Sequence, residues 1–180
     1  MKNKAVFLDR DGTINVDKHF LFKIEEFEFL SGAVEGLKLL QASGFLLIII
    51  TNQSGIARGY FTEELYLKLN EYMLDELKKS GVNITKVYYC PHLPEAEIPK
   101  YKKVCNCRKP ETGLFEQAVK DFDIDLSKSF AIGDKPRDCS ICEKTECRGF
   151  LIGSESSNEK IKTVSSLLEA AKIITGGEKS

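Results

Sequence analysis

Short apolar runs alternate along the chain with longer stretches whose apolar positions recur every three or four residues. The runs Ala5–Leu8, Phe45–Ile50, Lys86–Tyr89, Ser129–Ile132 and Gly149–Ile152 read as strands, rich in β-branched and aromatic residues and short for helices. Between them, Ala33–Ala42 presents Val34, Leu37, Leu39 and Leu40 as the apolar face of a helix. Glu63–Lys79 repeats Leu65, Leu69, Met73 and Leu77 at helical spacing behind Thr62, a good capping residue. Further helices are expected over Glu111–Phe122, which follows Pro110, over Arg137–Thr145 and over Ile161–Ile174. This alternation predicts an α/β fold, a parallel sheet with helices on both faces. No repeat, low-complexity tract or linker interrupts it, so one domain is expected over residues 1–175, with a frayed tail over 176–180.

The chemistry-bearing residues cluster where the predicted strands end. Asp9 and Asp11 close the first strand, and residues two apart on an extended chain face the same way. Gly12 then permits a sharp turn. The second strand runs into Thr51-Asn52-Gln53-Ser54-Gly55-Ile56-Ala57-Arg58-Gly59, whose hydroxyls and amides suit an anion, making Thr51, Asn52, Gln53 and Ser54 candidate phosphate or substrate donors. The fourth strand runs into Gly133-Asp134-Lys135-Pro136-Arg137-Asp138, adding two carboxylates and Lys135. Arg108 and Lys109 precede a helix. Open α/β sheets bind ligands at the carboxyl ends of their strands. Carboxylates there suit Mg²⁺, which takes one or two of them plus phosphate oxygens and water. Thr51 and Lys109 could supply the fixed donor and the charge that a phosphoryl group needs.

Composition narrows the alternatives. The 180 residues are 42% apolar and carry 26 Lys plus Arg against 27 Asp plus Glu, a formal charge of −1, which does not suggest a nucleic-acid or membrane binder. Phe45–Ile50 is too short to cross a bilayer, and Asp9 and Asp11 break the first apolar run, which argues against a secretory signal. A soluble, cytoplasmic monomer is expected, whose six cysteines are reduced thiols or metal ligands rather than disulfides.

The ordered segments Phe7-Leu8-Asp9-Arg10-Asp11-Gly12-Thr13, Ile50-Thr51-Asn52, Arg108-Lys109-Pro110 and Ile132-Gly133-Asp134-Lys135 resemble the four motifs of the haloacid dehalogenase superfamily. The resemblance implies a Rossmann-like domain and Mg²⁺-dependent phosphatase chemistry. It would make Asp9 the nucleophile and Asp11 the acid and base. Mg²⁺ would be held by Asp9, the backbone carbonyl of Asp11 and Asp134, and the phosphoryl group by Thr51 and Lys109. At 180 residues there is little room for a large cap domain. More narrowly, Asp9–Asn15, Thr51–Gly59 and Cys107-Arg108-Lys109-Pro110 resemble the D,D-heptose 1,7-bisphosphate 7-phosphatases, with histidinol-phosphate phosphatases related. In that subgroup Arg108 would recognise substrate, and Asp17, Lys18, His19 and Phe20 would line the sugar side. The chain reads Asp17-Lys18-His19-Phe20 where the subgroup tends to carry Gly-Tyr. The function implied is removal of the 7-phosphate through an aspartyl-phosphate. The alternatives are a histidinol-phosphate phosphatase and a non-catalytic, zinc-stabilised phosphosugar-binding protein.

Cys90-Pro91-His92 and Cys105-Asn106-Cys107 bracket a twelve-residue loop. Three thiols and an imidazole complete the tetrahedral ligand set of a closed, structural Zn²⁺ site, and the subgroup resemblance implies the same four. Such a zinc would pin the loop and set the position of Arg108 and Lys109. Cys139, Cys142 and Cys147 lack a fourth ligand and read as small buried apolar residues. Asp138 is open between a helix cap and a role behind the metal.

Overall fold

The computed structural model describes residues 1–176. Its centre is a six-stranded, all-parallel sheet in the order β3-β2-β1-β4-β5-β6. The strands are β1 (Ala5–Leu8), β2 (Leu46–Asn52), β3 (Lys86–Cys90), β4 (Phe130–Gly133), β5 (Arg148–Ile152) and β6 (Ile161–Val164). Both faces of the sheet are buried, as a parallel sheet requires. Side-chain alternation sends Val6, Leu8, Leu47 and Ile49 to one face, where helices α1 (Ala33–Ala42), α3 (Glu63–Lys79) and α6 (Leu167–Gly176) cover them with Leu37, Met73, Leu77 and Ala171. Ala5, Phe7, Ile48 and Ile50 take the other, against Leu114, Phe115 and Ala118 of α4 (Gly113–Phe122) and Ile141 and Cys142 of α5 (Ser140–Lys144). Cys139, Cys142 and Cys147 are fully buried in this second layer, so the small apolar role is the one they fill.

Three sequence expectations need correction. Ile161–Val164 is not the start of a helix but the edge strand β6, registered on β5 with Ile161 opposite Gly149 and Val164 opposite Ile152. Its three β-branched residues favour the strand, and Ser166, whose hydroxyl accepts the Glu169 amide at 3.1 Å, starts the helix afterwards. In α3, Leu65 is 37% exposed; the buried stripe is Tyr66, Leu69, Met73 and Leu77, with Tyr66 one position further round the helix. The helix over Arg137–Thr145 divides into a 3₁₀ turn at Pro136–Cys139 and the short α5. Helix α6 runs to Gly176; the tail expected beyond it lies outside the described residues.

The second strand also ends differently. The polar segment after it forms a one-turn helix, α2 (Ser54–Ala57). Its close packing requires Gly55, since a Cβ there would lie 2.2 Å from the Phe61 ring.

Candidate active site

β1 is flanked by β2 and β4, so the carboxyl ends of three adjacent strands open at one place. They deliver Asp9, Thr51 and Asp134 to a cleft of about 280 Å³ whose walls include Asp11, Asp17, His19, Phe20, Arg58 and Arg108. Asn52, Gln53, Ser54, Gly55, Lys135 and Arg137 complete the lining. Two of the residues proposed for phosphate or sugar lie elsewhere. Lys18 points to Glu28 at 3.4 Å rather than into the cleft, and Lys109 is buried behind Asp9.

Lys109 is the hub of the floor. Its Nζ donates to Asp9 Oδ1 at 2.9 Å, to Asp138 Oδ1 at 2.7 Å and to the Ile50 carbonyl at 2.6 Å. Burial alone would lower its pKa, but Asp9 and Asp138 raise it, and the ammonium stays charged. Asp138 takes the cap reading left open in the sequence: its second oxygen accepts the Lys135 amide at 2.9 Å, closing the turn that begins there. Gly133 makes room for it, because a Cβ at that position would meet Asp138 Cβ at 2.1 Å.

Asp11 is held differently. Arg10, 1% exposed, grips its carboxylate with Nε and Nη2, with a closest approach of 2.9 Å. Asn15 Nδ2 and Gln53 Nε2 donate to it at 2.9 and 3.2 Å. The Arg10 guanidinium in turn lies 5.5 Å from the Tyr66 ring centre. A buried arginine and two amides thus set the Asp11 side chain, and Gln53 bonds Thr51 Oγ1 at 2.9 Å as well.

The carboxylates outnumber the cations facing them. Asp9, Asp134 and Asp138 bring oxygens within 4.8 Å of one another, and Asp134 Oδ1 is buried with no hydrogen-bond partner. Burial first, then Asp138, pushes Asp9 up to about 7, and burial raises Asp134 too. Gly12, at φ +84°, keeps the backbone turn clear of Asp134, which a Cβ would meet at 2.5 Å. An orphaned carboxylate oxygen beside two others is the donor set that a hard divalent cation satisfies.

The cleft is lined by cations as well. Arg58, Arg108 and Arg137 face the cleft, none with a carboxylate partner among the described residues, and Arg108 Nη1 is buried and unpaired. Burial and the neighbouring Arg137 lower the pKa of Arg108 below its ordinary value. Sequence reading singled out Arg108 but passed over Arg58 and Arg137. Both were visible as cations within strand-end segments, and only the fold brings them together. His19 and Phe20, on the rim, are consecutive non-glycine residues with φ of +53° and +63°, a strained turn of the kind found at ligand sites.

The second cluster lies at the end of β3. Cys90, Cys105 and Cys107 place their sulfurs 2.9–3.6 Å apart, and His92 Nδ1 is 3.2 Å from Cys107 and 3.7 Å from Cys90. A Zn–S bond of 2.3 Å gives tetrahedron edges of about 3.8 Å, so the four groups need little adjustment to close on one ion.

The profile of the family described as polynucleotide kinase 3 phosphatase matches residues 4–147. A curated D-glycero-beta-D-manno-heptose-1,7-bisphosphate 7-phosphatase of Haemophilus ducreyi is 44% identical over 99% of this chain and 91% of its own. The D-glycero-alpha-D-manno-heptose-1,7-bisphosphate 7-phosphatase of Campylobacter jejuni is 43% identical over 88% of this chain and 87% of its own. Among solved structures, the D,D-heptose 1,7-bisphosphate phosphatase of B. bronchiseptica, complexed with magnesium and phosphate, superposes with a TM-score of 0.86. It is 26% identical, with 97% of this chain and 99% of that one covered.

Proposed function

We propose that this chain, which belongs to the haloacid dehalogenase-like family of D-glycero-D-manno-heptose-1,7-bisphosphate 7-phosphatases, is a Mg²⁺-dependent phosphomonoesterase that removes the 7-phosphate of that bisphosphate. The observation that carries this reading is the mixed lining of the cleft. Its carboxylates suit a metal-bound phosphoryl group, and three guanidiniums without carboxylate partners among the described residues suit a second phosphate.

Asp9, Asp134 and the Asp11 backbone carbonyl would hold Mg²⁺. The ion supplies neutralising charge to the transferring phosphoryl oxygens and lets Asp9 stay ionised. The Asp9 carboxylate attacks phosphorus, and the bond from phosphorus to the C7 oxygen breaks. Asp11 gives a proton to that leaving oxygen, then takes one from the water that attacks the aspartyl-phosphate. That second attack restores the Asp9 carboxylate and releases inorganic phosphate. Lys109 holds Asp9 in line from behind, and the Thr51 hydroxyl donates to the phosphoryl group. Arg58, Arg108 and Arg137 grip the phosphate that is not cleaved, and Ser54, Lys135, Asp17, His19 and Phe20 frame the sugar.

The zinc reading rests on the four converging ligands: Cys90, His92, Cys105 and Cys107 would bind one structural Zn²⁺ with no open position. The rest of the reading is a single domain over residues 1–175, acting as a cytoplasmic monomer without nucleic-acid or membrane partners. Among the described residues no helix is long and apolar enough to cross a membrane.

Phosphate release with Mg²⁺ from heptose 1,7-bisphosphate and from histidinol phosphate tests the assignment. The guanidinium wall predicts a large preference for the bisphosphate, because histidinol phosphate would bring an ammonium to three arginines. Turnover of histidinol phosphate alone would reject the sugar assignment and keep the chemistry.

A further inference from the structure

At the opposite end of the sheet, where the strands begin, a second cavity of about 350 Å³ opens beside β4, β5 and β6. Phe130 and Phe150, with ring centres 6.0 Å apart, and Ile174 are buried beneath it, and the exposed Ile173 of α6 is its apolar surface. Its rim carries Lys4, Lys128, Arg148, Lys160 and Lys162 against one carboxylate among the described lining residues, Glu159, and Lys4 lies 4.3 Å from the Phe45 ring centre. Lys160 is committed to the carbonyls of Thr145 and Cys142, and Lys128 lies 3.5 Å from Asp125. Arg148 and Lys162 have no carboxylate partner among the described residues, and the Arg148 guanidinium lies 4.6 Å from the Phe130 ring centre. Asp134 of the catalytic cleft follows the far end of β4, about 13 Å from Phe130 at 3.3 Å per residue.

We propose that this cavity is a second ligand site, which takes a small organic anion carrying two or more charges on a flat ring, the chemistry of a nucleoside diphosphate. The volume falls in the range of small-molecule sites, which pair an apolar floor with a few placed polar groups. Like charges gathered round an apolar concavity focus a positive potential there, and an anion relieves their repulsion. A guanidinium already lying against one ring presents its outer face to another, as arginine does to nucleobases. Inorganic phosphate would satisfy the rim and leave the exposed Arg148 face and Ile173 uncovered; a flat ring covers both.

The test is calorimetric titration of the Mg²⁺- and Zn²⁺-loaded enzyme with the non-hydrolysable methylene analogue of ADP, with pyrophosphate as comparison. Binding of the nucleotide should weaken about tenfold or more in Arg148→Glu and in Lys162→Glu, where one attraction becomes a repulsion. It should persist in Arg108→Ala. Both rim variants lie on exposed positions far from the cleft and should keep their phosphatase turnover, which also reports their folding. Three results would overturn the proposal: no saturable binding at millimolar nucleotide, binding abolished only by Arg108→Ala, or pyrophosphate binding as tightly as the nucleotide.

Discussion

Asn52 grips Lys109 through both ends of its own amide: Nδ2 donates to the Lys109 carbonyl at 3.0 Å, and Oδ1 accepts the Lys109 amide at 3.0 Å. Asn52 ends β2, where the sheet fixes it, whereas Lys109 lies on a loop. The pair carries the order of the strand into the loop, and the Lys109 ammonium then reaches Asp9 and Asp138. Asn52→Ala leaves the Lys109 peptide groups without these partners, a cost of about 1–3 kcal/mol. Displacing the ammonium should lower kcat by about ten- to a hundredfold, since small misplacements at a reacting centre are costly. Urea denaturation and steady-state kinetics read the two effects separately; a kcat equal to wild type would show that Lys109 needs no clamp.

Asp9→Asn is expected to abolish turnover and leave the fold intact. The amide is close in shape to the carboxylate, and Lys109 keeps Asp138 and the Ile50 carbonyl as partners. Rapid acid quench of wild type with substrate should trap one phosphate on Asp9, visible by peptide mass, and none in the variant. Substantial turnover by Asp9→Asn would reject Asp9 as the nucleophile.

The sheet and the catalytic floor were legible in the sequence because both depend on local pattern. Buried strands are short apolar runs, and in parallel sheets the functional groups follow directly at their ends. Features that depend on tertiary placement were less so. The spacing of Ile161, Val164 and Leu168 suits a helix, and the β-branched Ile161, Thr163 and Val164 together with pairing on β5 decide for the strand. Arg58 and Arg137 are 79 positions apart and meet only because β2 and β4 flank β1. Arg10 reads as a solvated charge between two aspartates, yet it is one of the largest fully buried side chains and the principal partner of Asp11. Lys18 was drawn into the sugar pocket by its neighbours, but the turn at His19 and Phe20 sends it to Glu28.

Zinc content should follow the four ligands. Elemental analysis is expected to find about one zinc per chain in wild type and markedly less in Cys105→Ser, with a lowered Tm. Because Arg108 follows Cys107 directly, loosening the zinc-ligand loop should raise KM more than it lowers kcat. Absence of zinc from pure protein, together with a neutral Cys105→Ser, would remove the structural site.

Glu63 joins three elements in one carboxylate. It starts α3, accepts the Tyr89 hydroxyl of β3 at 2.7 Å and the Tyr101 hydroxyl of the zinc-ligand loop at 2.8 Å, and lies 3.7 Å from Lys100. The Tyr89 hydrogen bond outweighs the opposing effect of burial and, with Tyr101 and Lys100, holds its pKa below the ordinary glutamate value. A carboxyl whose folded pKa is depressed stabilises the fold above its unfolded pKa, and that contribution is lost as pH falls through the folded value. Glu63→Gln should therefore lower Tm at pH 7 by about 2–4 °C. The gap between variant and wild type should close below the usual glutamate range, where both side chains are neutral. The same substitution frees Tyr101 and should speed zinc release to a chelator at pH 7, because the loop between His92 and Cys105 then has one fewer tie to α3. A Tm gap that stays constant from neutral to acid pH would show that the charge of Glu63 contributes nothing.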